Sequence, residues 1–102
     1  MNKESIINYL TNVKDVYAQE GFLIKALFGS YSRDEADADS DVDILVEATP
    51  KFASKYGFGA IKRIKEIQAE ISKAIGLPVD LADITGMSKT GKKFIIDRAI
   101  YV

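Results

Sequence analysis

The chain has 102 residues, 47% hydrophobic and 28% charged, with a formal net charge of −1. That is the composition of one ordinary soluble globular domain with enough chain for a core. It contains no Cys and no His, which excludes thiolate nucleophiles, disulfide frameworks, Cys-based zinc sites and imidazole bases. Any catalysis must run on carboxylates, hydroxyls, Lys, Arg and bound metal.

The near-neutral balance offers no broadly basic face, so nucleic acid is not expected as a partner. The stretch Met1-Asn2-Lys3-Glu4-Ser5 lacks the apolar run of a signal peptide, and no segment is apolar enough to span a bilayer. A cytoplasmic location with no membrane partner is the expectation. The charges are nevertheless segregated. From Asp34 to Glu47 every charged residue is acidic, and from Lys51 to Lys65 every one is basic, a pattern compatible with a cation site beside an anion site.

In chain order, Ile6, Ile7, Leu10, Val13, Val16 and Tyr17 recur at three and four, which predicts a helix from Ser5 that stops at Gly21. The apolar run Phe22–Phe28 reads as a buried strand ended by Gly29-Ser30. Tyr31 to Ser40 is polar and Asp-rich, hence a loop. Val42–Glu47 predicts a second strand closed by Thr49-Pro50. Ile61, Ile64, Ile67, Ile71 and Ile75 predict a helix with a core-facing stripe, Gly76 as its C-cap and Pro78 beyond. Val79–Ile84 predicts a third strand, Lys92 to Arg98 a last helix, and Ile100-Tyr101-Val102 an edge strand. This order predicts an α+β fold, a small mixed β-sheet with helices packed on it, in a single domain.

Asp41 and Asp43 stand two apart at the predicted second strand, so their side chains leave one face. Two adjacent carboxylates are costly without a counter-ion, and the usual remedy is a hard divalent cation. Asp80 is a third acid inside an otherwise apolar strand. A helix joining the second and third strands makes a crossover that sets them parallel, bringing all three acids to one end of the sheet. An antiparallel first strand delivers Gly29-Ser30 there too. Gly29 permits close approach of backbone amides to a phosphate, Ser30 offers a hydroxyl, and Arg33 a bidentate fork.

Gly29-Ser30-Tyr31-Ser32-Arg33 followed by Ser40-Asp41-Val42-Asp43-Ile44-Leu45-Val46 resembles the signature of the minimal nucleotidyltransferases in the DNA polymerase β-like superfamily. Val79-Asp80-Leu81 is similar to that family's third-carboxylate strand. The resemblance implies a nucleotidyltransferase fold of the polymerase β palm type. It implies transfer of NMP, with AMP from ATP foremost, from an NTP to a hydroxyl. Two Mg²⁺ ions would be bound by Asp41 and Asp43, with Asp80 helping to bind one and activating the acceptor, and Ser30 and Arg33 holding the triphosphate. Stand-alone members of this length are commonly antitoxins of HEPN-domain toxins, and some add AMP to a toxin tyrosine. Asp34 departs from the family's pattern, since relatives often carry Gly after the Arg.

Other readings compete. Asp39-Ser40-Asp41-Val42-Asp43 is not an EF-hand, because loop positions six and twelve are Ile44 and Pro50. Gly86-Met87-Ser88-Lys89-Thr90-Gly91-Lys92 meets the G-x-x-x-x-G-K pattern but is followed by Lys93 instead of Ser or Thr. Asp34, Asp37 and Asp39 are expected in a solvated loop, Asp83 as a cap or surface acid, and Lys62, Arg63 and Lys65 on a solvated helix face. A non-catalytic module that neutralises a partner by contact is the alternative function.

Overall fold

The computed structural model describes residues 2–37, 39–86 and 99–102. Helix α1 (Lys3–Ala18) is capped by the Asn2 side chain, which accepts from the Ser5 amide at 2.8 Å. Strands β1 (Phe22–Phe28) and β2 (Val42–Ala48) follow. Next come helix α2 (Pro50–Tyr56), a 3₁₀ turn at Gly57–Gly59, helix α3 (Ala60–Ile75), strand β3 (Val79–Asp83) and strand β4 (Ile100–Tyr101). The sheet order is β3-β2-β1-β4. β1 is antiparallel to β2 and β4, while β2 and β3 are parallel, as the crossover through α3 dictates.

One core joins both long helices to one face of the sheet. Ile6, Leu10 and Tyr17 of α1 and Ile67, Ile71 and Ile75 of α3 pack with Phe22, Ile24, Leu27, Val42, Ile44, Val46 and Val79. On β2 the alternation sends Val42, Ile44 and Val46 to the helices and Asp43, Leu45 and Glu47 to the opposite face. β1 achieves the same result less regularly. Its register slips between Ile24 and Ala26, so Lys25 is an extra residue that shifts the phase of the strand. Leu27 therefore joins the core and Phe28 turns to the face that carries Asp43.

Several expectations need correction. Pro50, taken as a stop, opens α2 at its first turn after Thr49, where a missing N–H costs nothing. Only Phe52 of that helix is buried, and its burial contributes about 2–3 kcal/mol. Ile61 is 70% exposed and is no part of the core stripe. Arg63 lies against Glu20 with its side chain 19% exposed, so it does not belong to a solvated face. β3 ends at Asp83, and Ile84 starts a 3₁₀ turn. Gly76 caps α3 in the left-handed conformation (φ 79°). The helix expected over Lys92 to Arg98 lies outside the described residues, as does nearly all of the Gly86–Lys93 motif. No helix among the described residues is long and apolar enough to cross a membrane.

Candidate active site

Antiparallel pairing puts the exit of β1 beside the entrance of β2, with Phe28 opposite Asp43. Parallel pairing then sets Asp43 opposite Asp80. Neighbouring strands run about 5 Å apart, so the two acids stand side by side on the face away from the helices. Asp43 is half-buried, and Asp80 and Asp41 are exposed. Asp41 lies one residue before β2, not on it. Burial pushes the Asp43 carboxyl above its usual range, the charges of Asp80 and then Asp41 push the same way, and Arg33 opposes them.

Gly29 has a role that its neighbours alone do not reveal. Its φ is +75°, and a β-carbon there would lie 2.2 Å from Oδ2 of Asp43. Both the backbone conformation and the adjoining carboxylate thus require glycine. The loop that follows is wound tightly over it. The Ser32 hydroxyl donates to the Gly29 carbonyl at 2.7 Å, and the amides of Arg33 and Glu35 donate to the Ser30 carbonyl at 3.2 and 2.9 Å. Asp34 has φ 58°, a left-handed position that explains why glycine would suit it and why Asp, one of the tolerant residues, can replace it.

Two partners in this loop escape sequence reasoning. Arg33 donates through Nε to Glu35 at 3.0 Å, and Lys3 at the start of α1 donates to Asp34 at 2.8 Å. The first pair is two residues apart in an irregular loop and the second is 31 residues apart, so no periodic pattern announces either. Asp37 is a turn-former that accepts from the Asp39 amide at 2.9 Å. Asp83 is a cap, as expected, accepting from the Thr85 amide at 2.9 Å and the Ala48 amide at 3.3 Å.

Asp43, Asp80 and Gly29 are therefore brought together, with Asp41 at the mouth of β2, Ser30 in the adjoining loop and Arg33 close enough to act on the Asp43 charge. No three acids among the described residues close on a common point as a formed metal site. Mutual repulsion opposes such closure in bare carboxylates. An all-oxygen donor set in which Asp80 and Asp41 raise the proton affinity of Asp43 still fits a hard divalent cation in chemistry.

The sequence model of the nucleotidyltransferase domain family matches residues 25–102. The chain belongs to that family. It is an enzyme of the nucleotidyltransferase class with the corresponding α+β fold. A Methanocaldococcus jannaschii chain provisionally named a protein adenylyltransferase is 32% identical over 105 residues, covering 91% of this chain and 97% of the relative. A protein adenylyltransferase of Thermococcus cleftensis is 30% identical over 100 residues, covering 97% and 94% respectively. Among solved structures, one provisionally described as a minimal nucleotidyltransferase superposes with a TM-score of 0.77 at 24% identity, covering 100% of this chain and 97% of the other. A toxin-antitoxin with AMP-PNP superposes with a TM-score of 0.61 at 22% identity, covering 99% of this chain and 72% of that one. At those identities the two structures speak for the fold.

Proposed function

We propose that this nucleotidyltransferase transfers AMP from ATP to a hydroxyl acceptor, a tyrosine of a HEPN-domain toxin, and so acts as an antitoxin. The observation that carries the chemistry is the pairing of Asp43 with Asp80 across a parallel ladder, at the end where Gly29 arrives. The names of the full-length relatives support a protein acceptor, and the toxin-antitoxin fold neighbour supports the biological role.

In this reading Asp41 and Asp43, assisted by Asp80, hold two Mg²⁺ ions. Bound there, the ions supply neutralisation of the triphosphate charge and polarisation of the reacting oxygens. The Gly29 amide and the Ser30 hydroxyl donate to phosphate oxygens. Arg33 exchanges its exposed pair with Glu35, worth about 0–1 kcal/mol, for a stronger bidentate phosphate contact. Asp80, on β3 and open to solvent, accepts the proton of the incoming hydroxyl at a carboxylate oxygen. The hydroxyl oxygen bonds to the α-phosphorus, the bond to the bridging oxygen breaks, and pyrophosphate leaves.

Intact-mass measurement of a HEPN-domain partner after incubation with ATP and Mg²⁺ tests this directly. The expected result is a gain of one AMP on a tyrosine, absent with Asp41→Asn. If the partner is inhibited equally by the wild type and Asp41→Asn with no mass change, the non-catalytic contact reading replaces this one.

A further inference from the structure

The elbow between α2 and α3 presents side chains for which the fold has no use. Phe58, in the turn Gly57–Gly59, has 109% relative exposure, and Ile61 at the start of α3 has 70%. Two large apolar groups within four residues, both in water, are an exposed patch on a formed element and not a scattered accident of the surface.

The elbow is held rigidly from beneath. Phe52 packs against Phe22 and Tyr56, with ring centroids at 5.4 and 4.9 Å. Tyr56 donates to Glu20, which is also gripped by Arg63 at 2.7 Å. Arg63 is thereby turned away from the patch, toward Glu20 and Glu70. Apart from Arg63, the charged residues nearest Phe58 and Ile61 in the chain are lysines. Lys62 and Lys65 are exposed and form no ion pair among the described residues, and Lys55 lies over the Tyr56 ring at 5.6 Å.

We propose that this elbow is a docking surface for a partner protein that presents an acidic segment with an apolar pocket or anchor. Phe58 and Ile61 supply the desolvated centre, and Lys55, Lys62 and Lys65 form a rim that selects carboxylates and speeds encounter. Charge complementarity and the preformed elbow argue for this occupant. Single-stranded nucleic acid fits less well, because Ile61 has no ring to stack and the chain's Arg in this segment is committed to carboxylates. The site lies beyond the nucleotidyl-transfer reading and does not depend on it. α2 begins where β2 ends and α3 runs back along the sheet, so Phe58 and Ile61 belong to the end of β2 opposite Asp43. Lys65 lies farther along α3 and shares a groove with Pro78 and Val79. The apolar centre of the docking surface and the chemistry are separable.

The test is a fluorescence titration of the full chain with labelled peptides. One probe is an amphipathic helix of Leu and Glu, the second its Leu and Lys counterpart, and the third an oligouridine of similar length. The Leu/Glu peptide is expected to bind at least tenfold more tightly than either of the others. Phe58→Ser with Ile61→Ser, and separately Lys62→Glu with Lys65→Glu, each weaken it at least tenfold while the melting temperature and metal-dependent nucleotide binding stay unchanged. Asp41→Asn binds the peptide like the wild type, so a failure of the transfer chemistry leaves this result intact. Equal binding of the Leu/Lys peptide, tighter binding of oligouridine, or insensitivity to both double variants would overturn the proposal. So would self-association in ultracentrifugation that Phe58→Ser with Ile61→Ser abolishes, since the occupant would then be a second copy.

Discussion

Among the described residues, carboxylates gather between the helices and at the open end of the sheet, and the two groups are built in opposite ways. Between the helices, Glu20 accepts from Arg63 at 2.8 and 2.7 Å and from the Tyr56 hydroxyl, while Glu70 accepts from Arg63 at 3.0 Å and Tyr17 at 2.9 Å. The Arg63 hydrogen bonds are the chief reason that the Glu20 carboxyl falls to about 2. At the sheet end, Asp43 moves the other way, raised by burial and by Asp80 and Asp41. The first cluster is completed by the chain's own cations and fastens α1, α2 and α3 together. The second leaves like charges facing one another, which makes it the place where an external cation gains most by binding.

The largest effect that separates the two is catalytic. Asp41→Asn is expected to lower nucleotide transfer about a thousandfold, the equivalent of several kcal/mol of lost charge stabilisation, with no loss of melting temperature. Radiolabelled ATP incorporation and a thermal melt of the same sample check both halves. Arg63→Ala should do the reverse. It strands Glu20 with little solvent around it and is expected to cost about 3 kcal/mol and lower the melting temperature by 10 °C or more, while the folded fraction keeps its affinity for nucleotide.

The pH dependence carries the same signature. Because the Glu20 pKa is depressed from 4.5 to about 2, its stabilisation is complete above pH 4.5 and is lost as pH falls toward 2. Acid titration of the melting temperature should show that loss in the wild type and a shallower slope in Arg63→Ala. Gly29→Ala comes next, with about 1–2 kcal/mol of backbone strain from a positive φ and a displaced Asp43 carboxylate. Its expected result is a modest stability loss with a disproportionate loss of transfer. The smallest effect belongs to Asp34→Gly. It relieves the left-handed strain and gives up the exposed Lys3 pair, two terms of about 1 kcal/mol or less that nearly cancel. If the loop from Gly29 to Glu35 holds phosphate as proposed, removing a carboxylate from it should still tighten nucleotide binding a few-fold in calorimetry.

The contrast also marks what the sequence could disclose. Phe22–Phe28 was legible as a strand because an apolar run bounded by glycines has few other uses, and parallel β2 and β3 followed from the intervening helix. Asp43 and Asp80 could be placed together because one connectivity sets their register. The bulge at Lys25 was hidden, since nothing local distinguishes it from regular alternation. α2 was hidden because a seven-residue helix with one buried side chain has no periodicity to detect. Ile61 fits the isoleucine stripe by spacing, yet it lies in the first turn of α3 with its side chain in water. Arg63 and Glu20 are 43 residues apart, and pairing at that separation is set by the tertiary fold, not by a local motif.

The central claim is that the sheet-end acids await a cation and a nucleotide, and a differential melt tests it most directly. Wild type and Asp43→Asn are melted with and without Mg²⁺ and a non-hydrolysable ATP analogue. Near 100 times the dissociation constant, the ligands should add about 2.7 kcal/mol to the wild type and raise its melting temperature by roughly 10 °C. Asp43→Asn should start at or slightly above the wild-type metal-free value and rise little. An equal rise in both proteins, or no rise in either, would contradict the assignment of this site.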